Sequence, residues 1–284
     1  MKRIALAFPL LLCSCAASLQ NAAGAGGTPP LAGIVAPIGR YDRQASVGSV
    51  WIDRYRNIYL TDRNRWRVLS YQWNGDSCVF RYEVSLRDPG SFLVPGYDQG
   101  FCLADNLNQR LVYCSFQGAE TGRMSLAGRT ASAAAISLVG DVFVLDGPQR
   151  TLAVYDSRGS LLRQFALAGG PEAADYRPAI MAVTRAGDMI AVADPDLGLI
   201  RLYTAFGRRL GGFRRKSASL AFDSFNRLWS LDKDGRIGVF AHRGRSGESL
   251  WPDTARAIGE AGAIAAGAGG AAIIAGDGNV FLCK

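Results

Sequence analysis

The sequence predicts an all-β fold built from six copies of one unit, and three observations support this prediction. First, a short apolar strand ending in Asp, a polar turn and a second apolar strand containing an aromatic residue recur along the chain. Second, the Asp residues of successive copies lie 43, 41, 48, 38 and 45 positions apart. Third, a further apolar run precedes each hairpin. Four strands in about 40 residues is the period of a β-propeller blade, so a six-bladed β-propeller is expected.

The six hairpins follow one another in order along the chain. In the first unit, an apolar run at 50–53 precedes strands at 58–62 and 67–71, and a fourth run follows at 78–84. Short apolar strands separated by turn residues are typical of β-hairpins. The later hairpins pair 101–105 with 110–113, 142–146 with 152–155, 190–194 with 200–203, 228–232 with 237–240, and 273–277 with 280–282.

Residues 31–284 are expected to form one domain whose two ends meet. The last unit stops at Lys284 after its third strand, whereas the apolar run 31–38 belongs to no unit. A ring of sheets leaves no open edge only when its ends are joined. The N-terminal run is therefore predicted to supply the outer strand of the last blade.

The first two hairpins also carry a family resemblance. The segments NIYLTDRNRWRVLSY and FCLADNLNQRLVYC resemble the NHL repeat, in which a strand leads through Ala-Asp and an Asn-containing turn to Arg and a Val-rich strand. Arg67 and Arg110 each follow the repeat Asp by five positions, whereas Arg150 and Arg236 follow it by four. The resemblance implies a six-bladed, NHL-like β-propeller.

The N-terminus is typical of an exported lipoprotein. Residues 1–14 combine two cations with an apolar run of signal-peptide length. The segment Leu12–Cys15 resembles a bacterial lipobox, which implies that Cys15 becomes the acylated first residue. Residues 15–30 are rich in Ala, Gly and Pro, so beyond the lipidated Cys they are expected to form a flexible tether. Ordinary signal-peptidase cleavage, for example after Ala17, is the alternative.

This organisation predicts a location in the bacterial cell envelope, with the membrane bound through a lipid anchor. Ala16 rather than Asp after Cys15 resembles the sorting pattern of outer-membrane lipoproteins. The chain has a formal net charge of +8, from 32 Lys and Arg against 24 Asp and Glu. Because the chain is expected to be exported, nucleic acid is not an expected partner. Envelope proteins and anionic lipid headgroups suit the charge better.

Acidic residues are candidates for a metal site, but turn chemistry explains most of them. At a hairpin turn an Asp accepts backbone N–H bonds and can pair with a following Arg. The repeat Asp residues at such turns are Asp62, Asp105, Asp146, Asp194, Asp232 and Asp277. Asp53, Asp98 and Asp223 instead end first strands, next to the expected central channel. A carboxylate-only calcium site there remains the alternative, because hard cations need only oxygen ligands.

The cysteines predict a disulfide in an exported chain. Cys102 and Cys114 flank the second hairpin symmetrically, so they are expected to face one another and to be able to form a bond. Two free buried thiols are the alternative.

One segment concentrates positive charge. Between the fourth and fifth units, nine residues hold five cations and no acid, namely Arg208, Arg209, Arg214, Arg215 and Lys216. This composition predicts a solvated loop. Contact with anionic lipid headgroups or an acidic envelope partner is the functional alternative.

Histidine content narrows the function classes. His242 is the only His, which excludes a multi-His zinc site and a His-based nucleophile relay. The sequence therefore predicts no catalytic role and no cofactor, and the expected function is a protein-binding and assembly scaffold in the envelope. Two alternatives remain open. One is a calcium-dependent lactonase or lyase of the six-bladed propeller type, and the other is a carbohydrate- or peptidoglycan-binding module.

Overall fold

A computed structural model describes residues 34–40, 46–74, 77–88, 90–167, 175–240, 249–250, 261–266, 272–276 and 279–283. The expectations for the signal peptide, Cys15, the tether, Asp277 and His242 lie outside the described residues. No helix in the described ranges is long and apolar enough to cross a membrane.

The described chain consists of β-strands joined by turns and loops. The first strand is β1 (Ile34–Arg40). The next two groups of strands are β2 (Val47–Ile52), β3 (Asn57–Asp62), β4 (Arg67–Trp73) and β5 (Cys78–Ser85), then β6 (Phe92–Val94), β7 (Phe101–Asp105), β8 (Arg110–Cys114) and β9 (Glu120–Ser125). The third and fourth groups are β10 (Ala133–Ile136), β11 (Val142–Asp146), β12 (Thr151–Tyr155) and β13 (Leu161–Ala166), then β14 (Ile180–Val183), β15 (Met189–Asp194), β16 (Leu199–Thr204) and β17 (Arg209–Arg214). The last strands are β18 (Ser219–Phe222), β19 (Leu228–Leu231), β20 (Ile237–Phe240) and β21 (Ser249–Leu250), then β22 (Ala261–Ala266), β23 (Ala272–Gly276) and β24 (Asn279–Cys283).

Hydrogen bonds join the described strands into six four-stranded antiparallel sheets. In five of them four consecutive strands pair in chain order, from β2–β5 to β18–β21. We call the first strand of each sheet the inner strand, and these strands are β2, β6, β10, β14, β18 and β22. Each inner strand contacts the inner strand of the next sheet, and β22 contacts β2. This radial arrangement is that of a β-propeller, so the predicted all-β propeller fold is confirmed.

The sixth sheet combines the two ends of the described chain. Its strand order is β1-β24-β23-β22. Ile34 lies opposite Cys283, and Arg40 lies opposite Asn279. The N-terminal strand therefore occupies the edge of the sheet that contains the last three strands.

The core lies between the faces of neighbouring sheets. All five residues of β7 and of β11 are buried, because these second strands are covered on both faces. The outer strand β13 instead alternates between exposed and half-buried residues. Among the largest buried side chains are Phe101, Phe143 and Trp229, each with 0% exposure. A continuous run of apolar residues therefore marks a second strand, whereas alternation of apolar and polar residues marks an outer strand.

The repeat Asp residues stabilise the hairpin turns, as the sequence predicted. The carboxylate of Asp62 accepts N–H bonds from Ser46 and Asn64 and forms an ion pair with Arg67 at 3.0 Å. The carboxylate of Asp105 forms an ion pair with Arg110 at 2.7 Å. Equivalent N–H bonds reach Asp146, Asp194 and Asp232. The turn role is therefore confirmed at each described repeat Asp.

Candidate functional site

A central cavity is the main candidate site in the described part of the chain. Residues from the inner strands of all six sheets, or from the loops that directly follow those strands, line it. Its volume is about 90 Å³. Most of the wall is apolar, including Val50, Ile136, Met181, Leu220 and Ile264. Concave, largely apolar sites with a few polar groups are typical of small-molecule binding.

The polar groups of the cavity lie together at one end, which we call the cavity mouth. Arg54, Asp98, Arg185 and Ser224 all come shortly after the last residue of an inner strand. Since the cavity-lining stretch of each sheet includes the end of its inner strand, these residues share one end of the cavity. Arg54, Arg185 and Ser224 are exposed, so the cavity reaches solvent there.

Asp53 and Asp223 also line the cavity, but their carboxylates are engaged by the turns that follow them. Oδ1 of Asp53 accepts the N–H groups of Tyr55 and Asn57 at 2.8 and 2.9 Å, and Oδ2 accepts the Asn57 amide at 2.7 Å. Oδ1 of Asp223 accepts the N–H groups of Phe225 and Arg227, both at 2.9 Å. Burial raises the pKa of Asp53, while the hydrogen bonds from Asn57 oppose this rise. Both carboxylates therefore act as turn caps.

Asp98 differs from these two residues because its described partner comes from another sheet. Its Oδ2 lies 2.9 Å from the Arg185 guanidinium, which comes from the loop after β14. The Arg185 side chain is 45% exposed and the Asp98 side chain is 19% exposed. The indole N–H of Trp51 donates to the carbonyl oxygen of Tyr97 at 3.3 Å, which fixes the Asp98 loop against the first sheet. A carboxylate and a guanidinium are thus presented side by side at the cavity mouth.

The calcium alternative is only partly matched by this geometry. The structure places Asp53, Asp98 and Asp223 around one cavity, as the sequence suggested. However, the described ranges contain no group of three His, Cys, Asp or Glu residues arranged to hold a metal ion. Turn N–H groups already occupy the oxygen atoms of two of the three carboxylates, so these residues are not arranged as a shared ligand set.

The predicted disulfide between Cys102 and Cys114 is wrong. Both thiols are free, and both are buried. In the second hairpin Cys102 lies opposite Tyr113, and Phe101 lies opposite Cys114. This register differs by one residue from the predicted one, so the two side chains point to opposite faces of the sheet. Cys102 packs with Val94 on one face, whereas Cys114 packs in a separate cluster on the other.

The basic segment 208–216 is a strand rather than the predicted loop. Residues 209–214 form β17, the outer strand of its sheet. Arg208 precedes this strand, Arg209 begins it and Arg214 ends it, so the cations are spread along its length. Arg215 points inward, where its Nε donates to the Ser230 hydroxyl at 2.7 Å, and burial lowers its pKa. The segment therefore does not form one basic patch.

Arg185 and Arg54 are cavity-mouth residues that the sequence reasoning missed. Arg185 lies 87 positions from its partner Asp98, so no local motif links them. The one available signal was position, because Arg185 follows a predicted inner strand as Asp53 and Asp223 do.

Comparison with known proteins supports the fold. No protein-family model and no curated protein matches the chain. A solved streptogramin B lyase matches with a TM-score of 0.62, covering 87% of this chain and 96% of that chain at 10% identity. An inactive histidine-to-alanine variant of virginiamycin B lyase from Staphylococcus aureus, solved with quinupristin, matches with a TM-score of 0.57 at 13% identity. That match covers 82% of this chain and 78% of the other.

These similarities correct the expectation that the chain has no catalytic role. Both structures are enzymes that have a similar overall fold, so the fold does not favour a non-enzyme. At 10% and 13% identity the likeness shows the β-propeller fold alone. The resemblance to NHL repeats is not confirmed, and the lipoprotein interpretation stays a prediction.

Proposed function

We propose that this chain is an envelope-anchored β-propeller that binds a small, largely apolar organic molecule with an anionic end in its central cavity. The observation that carries the proposal is the convergence of all six inner strands on one apolar cavity with a single charged end. The apolar wall would bury the body of the ligand. Arg185 at the cavity mouth would pair with the anionic end, displacing Asp98.

The proposal includes the ring and its anchor. The six sheets would be six blades, and β1 would close the ring by its pairing with β24. Residues 1–14 would act as the signal peptide, Cys15 would carry the acyl chains, and residues 15–30 would link the anchor to the propeller. The expected location is the outer membrane of a bacterial envelope. A role in protein assembly stays a prediction.

Binding of 8-anilinonaphthalene-1-sulfonate tests the cavity, because this probe joins an apolar ring system to one anionic group. We expect saturable binding by the folded full-length chain, with enhanced fluorescence. The Arg185→Gln variant is expected to bind about tenfold more weakly, since it loses a charge-assisted contact and leaves the Asp98 carboxylate facing the anion. Fluorescence titration gives both dissociation constants.

Lys233→Gln is the matched control for this titration. Lys233 is an exposed cation on the turn between β19 and β20, at the other end of the strands from the cavity mouth. Its replacement removes the same charge and is expected to leave the affinity unchanged. Equal weakening by both variants, or no effect of Arg185→Gln, would contradict binding at the cavity mouth.

Lyase chemistry at the same site is the second candidate function, favoured by the adjacent carboxylate and guanidinium. In an elimination, the Asp98 carboxylate would take a proton from a carbon next to a carbonyl group. The C–H electron pair would form a C=C bond to the adjacent carbon. The bond from that adjacent carbon to its heteroatom would break, with the electron pair remaining on the leaving atom. Arg185 would stabilise the developing negative charge, and the leaving atom would then take up a proton.

Quinupristin is a practical substrate for testing this chemistry, because one similar lyase structure contains it. We expect the full-length chain to consume it in a reaction followed by reversed-phase chromatography. The Asp98→Asn variant is expected to react about 10²–10⁴-fold more slowly, since it loses the general base. Absence of consumption, or an unchanged rate in the variant, would remove the elimination hypothesis for this compound and leave the binding proposal to its own test.

A further inference from the structure

Exposed apolar side chains are concentrated at one end of the propeller. Thirteen large apolar residues of the described chain are exposed. Six of them stand on turns after first or third strands, namely Tyr55, Phe116, Leu138, Val139, Phe206 and Phe225. Five more stand within the first three residues of outer strands, namely Val79, Phe80, Leu161, Leu162 and Leu210. The remaining two, Trp66 and Leu107, stand on turns between second and third strands.

Sheet geometry places the first eleven of these residues at the same end. Strands alternate in direction within each antiparallel sheet, so the turn after a first strand and the turn after a third strand lie at one end. The inner strands finish at the cavity mouth, and the outer strands begin there. We call this end the mouth face. Trp66 and Leu107 lie on the opposite face.

Arginine side chains stack on three of the exposed aromatic rings of the mouth face. The guanidinium of Arg54 lies 4.7 Å from the ring centre of Tyr55. Arg163 lies 5.0 Å from the ring of Phe206, and Arg227 lies 5.5 Å from the ring of Phe225. Aromatic and basic side chains in this combination are typical of surfaces that enter the headgroup region of a membrane.

Several acidic side chains of the mouth face are engaged within the protein, which favours an anionic partner. Asp98 pairs with Arg185, and Asp223 caps its own turn. Asp156 accepts the N–H groups of Arg158 and Ser160. These contacts hold the acidic groups in ion pairs and turns. Arg227 is itself the ion-pair partner of Asp223, whereas Arg54 and Arg163 stand beside exposed rings.

The first described strand, β1, begins at the mouth face. Ile34 begins β1 opposite Cys283, which ends β24. Cys283 is paired with Ala272 next to the turn between β22 and β23, and Ala266 at that turn lines the cavity. The start of β1 therefore lies at the same end as most of the exposed apolar side chains.

We propose that the mouth face docks onto a lipid bilayer that contains anionic phospholipids. The apolar side chains stand on separate turns of different sheets, including those of Tyr55, Val139, Phe206 and Phe225. A planar partner can receive all of these projections at once, and the guanidinium groups of Arg54 and Arg163 can meet anionic headgroups. The cavity would open toward the bilayer, from which an apolar ligand could enter.

This docking does not depend on the proposed ligand or on catalysis. Its test is binding of the full-length chain to vesicles of phosphatidylglycerol and phosphatidylethanolamine, measured by co-sedimentation. All proteins would carry Cys15→Ser, so that no acyl chain contributes and the N-terminal segment is the same in each. The double variant Phe206→Ser with Phe225→Ser is expected to bind at least about tenfold more weakly, because two rings of the docking face are lost.

The double variant Trp66→Ser with Leu107→Ser is the matched control from the opposite face. It removes two exposed apolar side chains and is expected to retain vesicle binding. Thermal unfolding would establish that both double variants are folded. Three results would overturn the proposal: no vesicle binding by the Cys15→Ser chain, equal loss of vesicle binding in both double variants, or undiminished vesicle binding by the Phe206→Ser, Phe225→Ser variant.

Discussion

Replacement of Asp223 by alanine is expected to lower the free energy of unfolding by about 3–5 kcal/mol, because it removes a buried carboxylate that pairs with a partly buried guanidinium. Oδ2 of Asp223 lies 2.6 Å from Nε of Arg227, and the Asp223 side chain is fully buried. The same oxygen accepts the indole N–H of Trp229 at 2.9 Å. The variant would remove this shared acceptor from both donors and would also remove the cap of the turn after β18.

Equilibrium unfolding by urea, followed by tryptophan fluorescence, would measure this loss. Asp234→Ala is the matched control, because Asp234 is exposed on the turn between β19 and β20. That change is expected to alter stability by less than about 0.5 kcal/mol. A loss of similar size in both variants would contradict the capping role. Addition of calcium is expected to leave the stability of the unaltered protein unchanged, since the Asp223 carboxylate is already occupied by N–H donors.

The same capping position recurs after other inner strands, which explains why acidic residues gather around the cavity. The hydroxyl of Ser137 accepts the N–H of Asp141 at 3.1 Å, and the hydroxyl of Thr184 accepts the N–H of Met189 at 3.1 Å. Asp, Ser and Thr can all supply the short side-chain acceptor of such turns, Ser and Thr more weakly than Asp. Acidic residues at the cavity mouth are therefore explained by turn capping, and their presence alone does not indicate a metal site.

The sequence was informative about the fold where local chemistry decides the structure. The repeat Asp residues, such as Asp62 and Asp105, mark hairpin turns because their side chains bond backbone groups only a few residues away. The alternation of apolar residues similarly distinguishes the outer strands from the buried second strands. These features depend on neighbours in the chain, so they can be predicted without knowledge of the whole fold.

The register of the second hairpin could not be predicted in the same way. The symmetric spacing of Cys102 and Cys114 suggested that they face each other, but the pairing Asp105 with Arg110 shifts the register by one residue. The shift depends on the conformation of the turn, in which Gln109 adopts a φ of +50°. Because side chains alternate between sheet faces, an error of one residue reverses the prediction.

The charged pair at the cavity mouth shows a second limit of sequence reasoning. Asp98 follows the second inner strand and Arg185 follows the fourth, so the closed arrangement of sheets brings them together. Neither residue stands in a recognisable motif. The position of Asp98 near the channel could be predicted from strand order, whereas its pairing required the curvature of the whole ring.

Replacement of Gly96 by alanine is expected to destabilise the protein by about 3–5 kcal/mol, because strain and overlap act together. Gly96 has a φ of +100°, which side-chain-bearing residues rarely adopt. A Cβ atom at this position would fall onto the carbonyl oxygen of Ile136 in the next inner strand. The N–H of Ile136 donates to the carbonyl oxygen of Pro95 at 2.7 Å, so the two sheets are held closely here.

Gly128→Ala separates the two contributions, because Gly128 has a φ of +83° but a Cβ atom added there would meet no other atom within 4 Å. This control is expected to cost only about 1–2 kcal/mol, from backbone strain alone. Urea unfolding of both variants would measure the difference. Gly96 also lines the cavity, so Gly96→Ala should weaken binding of 8-anilinonaphthalene-1-sulfonate, whereas Gly128→Ala should not. Equal stability losses in the two variants would show that close approach of the second and third sheets does not require glycine at position 96.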